Sequence, residues 1–509
     1  MYSINNANVP CATNREAFLK VVEGAARVSG EAPDMLRDES SFSGAWCEEA
    51  CWPSSASEAG EYVRSCASRR LPLTISGGRT GVVAGALPDG GAVLSTSLLK
   101  RMGPVERGTV SVEAGVTLEE LSRRLASDAG GLFFPPDPTE ATASLGGMAA
   151  TDASGSDSLL YGSTRGWVES ASLILPDGSP VTLVRGECLF GPGGRCRHPG
   201  IGTLELGIVP PRPLPKDTAG YAIREGMDLL DLFLGSEGTL GLVTELGLRL
   251  APRPDTIIDA ILFHPDPQGL WPLVDSVRCS GMDLRAIEIM DDACLGLMRR
   301  DPLPGSVLPP EGASCAVMVR LESSGEAMTD ALLGRLDDLS VSSGLPEDMV
   351  WAGFDEAWDA RMRSFRHSLP ELVNREIARL RTSIPGIRKY GSDSAVPPAL
   401  AGAFYARTRE LLEEAGLSFV VFGHAGQGHL HANVLPRSEK EMETAGRSME
   451  EIARLAVSMG GTVSAEHGLG RLKGGLLGIM HPPEVIASMG ALRRAIDPGG
   501  LFGPAVAWC

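Results

Sequence analysis

The stretch PPDPTEATASLGGMAATDASG (135–155) decides how the first half of this chain is read. It is built largely from Gly, Ala, Ser and Thr, so the backbone itself must line whatever lies beside it, and small residues admit a large flat ligand. Two further glycine-rich segments stand on either side of it. SGGRTGVVAGA (76–86) follows the apolar run LPLTI, and its glycines let backbone N–H groups close around an anion such as a phosphate. FLGSEGTLGLVTELGLRL (233–250) sets a tight Gly-Ser-Glu-Gly-Thr turn before a strand, again with amides available to a ligand. Each reads alone as a turn; in this order and spacing they read as the wall of one binding site. No G-x-G-x-x-G and no G-x-x-x-x-G-K-[ST] occurs, so a Rossmann nicotinamide site and a P-loop both lack their phosphate fingerprint.

Outward from these segments, 509 residues are too many for one ordinary core and imply at least two packed domains. The chain is 43% hydrophobic and 22% charged. No stretch approaches the roughly 18 apolar residues that a spanning helix needs. A net charge of −18 argues against nucleic acid as a partner, since that binding rests on clustered Lys and Arg. The start, MYSINNANVP, has neither a basic flank nor an apolar core, so the cytoplasm is the expected compartment. Ten cysteines are scattered without a Cys-x-x-Cys, so no ferredoxin-like cluster and no zinc ribbon is encoded. Cys47 and Cys51, the nearest pair, read as ordinary thiols, with a metal or redox pair as the alternative.

We divide the chain into a lead-in (1–50), a first domain (51–252), a second domain (253–485) and a closing segment (486–509). The lead-in carries a predicted helix around Glu16 to Val28. In the first domain LPLTI, AVLS, TVSVEAGV, SASLIL and GLVTELGLRL alternate with helical stretches, an α/β texture. The prolines of APRPDT (251–256) break it. Beyond them IDAILF and CAVMVRL read as strands, while MDLRAIEIMDDACLGLMRR (282–300) and ALAGAFYARTRELLEEAG (399–416) carry helical periodicity, an α+β pattern. EVIASMGALRRAIDPGGLFGP (484–504) is a helix with a Gly/Pro stop that is expected to pack back on the first domain, and 186–215 reads as a surface loop.

Of eight histidines, four fall in FGHAGQGHLHANVLP (422–436) and SAEHGLG (464–470). His424, His429, His431 and His467, with Glu466, supply the imidazoles and carboxylate that bind zinc or another divalent transition ion. In an extended segment His429 and His431 point to one side, whereas His424 needs the AGQG glycines to bend the chain back. Buried hydrogen-bonded histidines are the bland alternative.

The three glycine-rich segments resemble the FAD-binding domain of vanillyl-alcohol-oxidase-type flavoenzymes, over about Asp38 to Leu250. The resemblance implies that Gly77, Gly78, Arg79, Thr80, Gly81 and Gly85 hold the pyrophosphate. It places Pro136, Asp137, Ser144, Gly147, Ala153, Gly155 and Gly162 along the rest of the cofactor, with Glu237, Gly238 and Thr239. Some relatives link the flavin to a histidine of the first loop; Arg79 stands in that region here and no histidine precedes residue 198, so non-covalent FAD is expected. Asp152 stands where relatives commonly carry Asn, which puts one flavin contact in question.

The histidine motifs resemble the metal-containing D-2-hydroxy-acid dehydrogenase branch of that family, and DLRAIEIMDDACL, RHSLPELVN (366–374), KYGSDSAVP (389–397) and AIDPGGLFGP fit it too. The likeness spans roughly nine-tenths of the chain. It implies metal ligands His424, His431 and Glu466, with Zn, Mn and Fe open, and His467 as the base. Relatives often read Gly-Asp-Gly-Asn where this chain has Gln427 and His429, so His429 is open between a supporting group, a fourth ligand, a substrate contact and none of these. Arg366 could clamp a substrate carboxylate or form a surface salt bridge; Lys389 is a weaker candidate for the clamp, and Asn433 for a substrate contact.

The implied fold is α+β: an α/β FAD-binding domain in two subdomains and a C-terminal ferredoxin-like antiparallel-sheet cap domain. The implied reaction is oxidation of a small D-2-hydroxy acid, such as D-lactate or glycolate, to the 2-oxo acid with hydride passing to flavin. Electrons would then go to an acceptor protein or the quinone pool, with an iron–sulfur partner subunit, a homodimer and a peripheral position at the inner membrane face all compatible. A transferase of the alkyl-glycerone-phosphate-synthase type and a non-catalytic flavin electron-relay subunit are the competing readings.

Overall fold

The computed structural model describes residues 19–508 except 129, 212, 213, 215 and 507. Its first sheet has strands Glu49–Trp52, Ala92–Ser95 and Leu73–Ser76 in parallel, with Lys20–Glu23 antiparallel at the edge. Ala92–Ser95 is buried at every position, as a parallel strand covered on both faces must be, which is why AVLS is apolar up to its closing serine. Helix Ala56–Arg69 covers this sheet; Ser55 caps its start by accepting from the Glu58 N–H, and Arg70 in a left-handed conformation ends it.

A second, five-stranded antiparallel sheet runs in the order Met102–Glu106, Thr109–Glu113, Leu242–Arg249, Val168–Ile174, Pro180–Val184. In Thr109–Glu113 the alternating Val110 and Val112 enter the core. Helix Pro483–Ile496 sends Val485, Met489, Leu492 and Ile496 into that same core. Beyond it, Leu73 exchanges backbone hydrogen bonds with Leu501 and Gly503, so the closing segment lies along the first sheet.

The third sheet has seven antiparallel strands: Val350–Gly353, Thr256–His264, Cys315–Ser323, Leu284–Met290, Phe419–Gly423, His431–Val434 and Tyr390–Gly391. Helices cover both of its faces. Ile258, Ala260 and Leu262 meet one set of helices while Ile261 and Phe263 meet another, so this strand is apolar on both sides. Leu284–Met290 is a central strand, not the start of the helix that its sequence suggests; the helix begins only at Asp292, capped by Asp291. At the other end of the chain, Lys20–Glu23 is a strand and the helix runs Ala25–Glu31, while residues 16–18 lie outside the described ones. The 186–215 stretch contains a hairpin, Arg195–His198 with Gly202–Glu205, whose Cys196 and Leu204 are buried.

Buried ion pairs join the first domain to the third sheet. Arg320 lies 3.0 Å from Asp259, 3.3 Å from Asp157 and 2.7 Å from Asp359, and Arg285 also reaches Asp157. Removing Asp157 would leave two buried guanidiniums underpaired, a costly change in a low-dielectric interior. Cys47 and Cys51 are free and buried, and burial pushes the Cys47 thiol up to about 12, so both behave as small core residues. Among the described residues no helix is long and apolar enough to cross a membrane.

Candidate active site

A cavity of about 950 Å³ separates the glycine-rich wall of the first domain from the imidazoles of the second. That volume suits a whole dinucleotide-sized cofactor. On the first wall lie Gly77, Gly78, Arg79, Thr80, Gly81, Gly85, Ser144, Gly147, Ala153, Gly155, Glu237 and Gly238. At the start of the first loop the backbone approaches too closely for side chains: a Cβ on Gly77 would sit 2.5 Å from Ser144 Oγ, and one on Gly78 would sit 3.0 Å from Ser144 N. Ser144 Oγ in turn accepts from Gly78 N at 2.9 Å and Gly147 N at 3.3 Å, tying the first loop to the 135–155 segment. Arg79 and Glu237 hold left-handed backbone conformations, φ 58° and 52°, which cost energy in any L residue and mark a wall shaped by more than local preference.

Four residues of the expected cofactor set lie off this cavity. Pro136 is buried behind it. Asp137 has its half-exposed side chain 3.8 Å from the buried Arg320, while its carbonyl packs where a Cβ on Gly155 would stand, 1.6 Å away. Gly162 is exposed at the end of the short helix Ser158–Tyr161. Thr239 is fully buried, donating to Ser236 O and sharing a 2.8 Å hydrogen bond with Tyr221. Asp152 is likewise spent on structure: it accepts from both the backbone N–H and the side chain of Arg165, which also ties down the Asp231 and Leu234 carbonyls.

Glu237 links the two halves, its carboxyl accepting from Leu469 N at 3.0 Å and Gly470 N at 2.7 Å. Burial pushes this carboxyl up to about 7 from 4.5, against the pull of those two amides. The folded chain therefore holds a proton that the unfolded chain releases, so stability present below about pH 4.5 is lost as pH rises toward 7. Glu237→Gln should flatten that loss when melting temperature is followed from pH 4.5 to 8. Parallel profiles for the two proteins would remove Glu237 as its source.

On the opposite wall, strand Phe419–Gly423 delivers His424, a turn through Gln427 and Gly428 reverses the chain, and strand His431–Val434 carries His431 and Asn433. Gly428, at φ 69°, has Val396 O where a Cβ would stand, 2.1 Å away, so only glycine permits this reversal. Ring centroids lie 5.3 Å apart for His424 and His429 and 4.3 Å for His429 and His431. One Glu466 oxygen meets His424 Nε2 at 3.3 Å, Lys216 Nζ at 2.5 Å and Ser154 Oγ at 3.0 Å. The other faces His429 Nδ1 and His431 Nε2, each at 3.7 Å. Burial would raise Glu466, but His424 and Lys216 hold its carboxyl well below the usual range. His467 stacks on His431, with centroids 5.5 Å apart, and its Nδ1 lies 3.1 Å from Asp393 Oδ1.

Arg366 reaches the cavity from helix Glu356–Arg381, but its guanidinium is 3.2 Å from Glu288, which also meets His424 Nδ1 at 2.5 Å. Despite burial, Arg366 and His424 draw the Glu288 carboxyl down to about 2. Lys389 lies at the cavity and donates to Asn374, and Asn433 lines it while donating to the His431 carbonyl. Sequence reasoning passed over Glu288, Asp393, Lys216 and Ser154. A carboxylate amid the apolar run AIEIM was a signal for Glu288, because an acid there must be paired; for the others no local pattern exists.

Two domain families match the chain: an FAD binding domain at residues 49–183, and the C-terminal domain of FAD linked oxidases at 254–506. A D-2-hydroxyglutarate dehydrogenase of Bos taurus is 30% identical over 89% of this chain and 75% of its own length. A D-lactate dehydrogenase of Anaerostipes hadrus is 27% identical over 88% and 87%, and the glycolate oxidase subunit GlcD of Bacillus subtilis is 27% identical over 89% and 87%. Among solved structures, 4-ethylphenol oxidase from Gulosibacter chungangensis aligns at TM-score 0.65 and 15% identity over 93% of this chain and 92% of that one. An alkyldihydroxyacetonephosphate synthase aligns at 0.60 and 16% over 90% and 77%. With a glycine-lined cavity that fits the cofactor and relatives matching almost end to end, the chain belongs to the FAD-linked oxidases and has their two-domain fold.

Proposed function

We infer that this chain is an FAD-dependent dehydrogenase that oxidises a small D-2-hydroxy acid to the 2-oxo acid. The observation that carries this reading is the single cavity: the imidazoles and Glu466 open onto the same space as the glycine wall. Relatives matching over nearly nine-tenths of the chain bear hydroxy-acid dehydrogenase names, whereas the alkyldihydroxyacetonephosphate synthase shares the fold alone.

The groups that would hold FAD are the backbone amides of 77–81, Gly85 and the 144–155 and 237–238 segments. Bound there, FAD supplies a two-electron acceptor for the hydride of the substrate α-carbon. His424, His431 and Glu466 suit a divalent transition ion, Zn, Mn or Fe, which supplies a Lewis acid that acidifies the substrate hydroxyl. Asp393 faces His467 Nδ1, so Nε2 is the ring atom left to take the hydroxyl proton. Arg366 and Lys389 bring positive charge to the rim where a substrate carboxylate would lie, with Glu288 fixing the Arg366 guanidinium. Electrons then leave for an acceptor protein or the quinone pool.

Anaerobic addition of D-lactate, glycolate or a longer D-2-hydroxy acid should bleach the flavin absorbance of the purified chain. Absence of bleaching by the whole series would sink the reading, and turnover with an artificial dye acceptor would dispose of a pure relay role. Stripping the metal should slow bleaching strongly; a metal-free protein of full activity would remove the ion from the mechanism.

A further inference from the structure

We propose that His429 is a fourth protein ligand of the divalent-ion centre, acting through Nδ1, so that three imidazoles and Glu466 hold the ion. This rests on the metal reading above and goes one ligand beyond it. His429 is fully buried, and its two ring nitrogens have opposite surroundings. Nε2 stands 3.1 Å from Asp393 Oδ1, an acceptor-only group, so the ring proton belongs on Nε2 and the lone pair on Nδ1. That Nδ1 is buried without any hydrogen-bond partner, an unfavourable state unless something accepts the lone pair.

What faces that lone pair is the metal cluster. The candidate donor atoms of His424, His429, His431 and Glu466 all lie within 4.8 Å of one another. Glu466 oxygens stand 3.3, 3.7 and 3.7 Å from His424 Nε2, His429 Nδ1 and His431 Nε2. An ion with bonds of about 2.0–2.1 Å separates adjacent ligands by roughly 3 Å, so inward movements of these side chains complete the four protein ligands, and a five-coordinate ion keeps its fifth position for the substrate hydroxyl. A hydrogen-bonded core histidine would have satisfied both nitrogens; this one satisfies the outward nitrogen with a carboxylate and leaves the inward one open. Three imidazoles and one carboxylate favour a transition ion over magnesium or calcium.

The test uses metal-stripped, FAD-loaded full-length protein reloaded with Co²⁺ or Zn²⁺. X-ray absorption of the wild-type Zn form should count three imidazoles, and His429→Asn should count two. Competition with a chromophoric chelator should show affinity falling by about 10²-fold in His429→Asn, and the visible bands of the Co²⁺ form should change in the same variant. Retained flavin absorbance and melting temperature in His429→Asn establish that the fold is intact. Two imidazoles in the wild type, or unchanged affinity and Co²⁺ bands in a folded His429→Asn, would overturn the fourth ligand. If His424→Ala abolishes binding at the same time, the three-ligand centre survives that result. A wild type that takes up neither ion overturns the centre and the fourth ligand together, while flavin bleaching by hydroxy acids reports independently on the reaction.

Discussion

Replacing His467 with alanine should leave a yellow, folded protein whose flavin is bleached by substrate about 10²-fold or more slowly, as expected when a general base is lost. The fold should tolerate the change. The His467 side chain is 33% exposed on the cavity side, and its contacts are a stack on His431 and the approach to Asp393. Asp393 keeps its other donors: Ser464 Oγ at 2.7 Å, and the backbone N–H groups of residues 466 and 467, which a side-chain truncation does not touch. FAD binding should also persist, because the cradle is made of first-domain backbone. The measurement is the single-turnover rate of anaerobic bleaching by D-lactate or a longer D-2-hydroxy acid at saturation, so that weaker substrate binding cannot mimic lost proton transfer. A rate equal to the wild type would remove His467 from the chemistry; a colourless protein would instead assign it to holding the cofactor.

The architecture was legible wherever one period dominated a segment. AVLS and IDAILF are apolar except at Ser95 and Asp259 because both faces of their sheets are covered, and they read as buried strands at once. Leu284–Met290 did not, because it runs without a break into helix Asp292–Arg300. Arg285 and Glu288 then look like the polar face of one long helix, when they are ion-paired groups of a central strand. The glycine wall was visible as composition, but composition does not say which residue faces the ligand. Asp137 sits in the most telling stretch, yet it serves by packing its carbonyl on Gly155. Thr239 follows Gly238 directly and is captured by Tyr221, a partner no local pattern announces. Asp393 and Lys216 escaped for the same reason: each gains its meaning from side chains far away in the chain, His467 and His429 for one, Glu466 for the other. The His429 question, open in the sequence, turns on which of its nitrogens faces Asp393.

Asp393→Asn should be at least as damaging as loss of His467, although it changes a single atom and no volume. Asp393 is 2% exposed and works only as an acceptor. Oδ1 faces His429 Nε2 and His467 Nδ1, each at 3.1 Å, and Oδ2 accepts from Ser464 Oγ and the His467 N–H. An asparagine offers one oxygen and one NH₂, so one of these two sets of donors must meet a donor. If the NH₂ turns to Ser464 and the 467 amide, buried hydrogen bonds are lost at about 1–3 kcal/mol each. If it turns to the imidazoles, His429 must move its proton to Nδ1, toward Glu466 and His431, and His467 Nδ1 must become the acceptor, which puts the proton on the Nε2 meant to receive one. Either arrangement also removes the buried negative charge that faces His467 Nδ1. Burial would raise Asp393, yet His467 and the hydrogen bond from His429 hold its carboxyl well below the usual range, a measure of how strongly the site is built around that charge. We expect bleaching to slow by about 10²-fold or more and metal affinity to fall by about 10–100-fold in the same variant. Wild-type bleaching and metal affinity in a folded Asp393→Asn protein would show that the two imidazoles take their protonation states from some other neighbour.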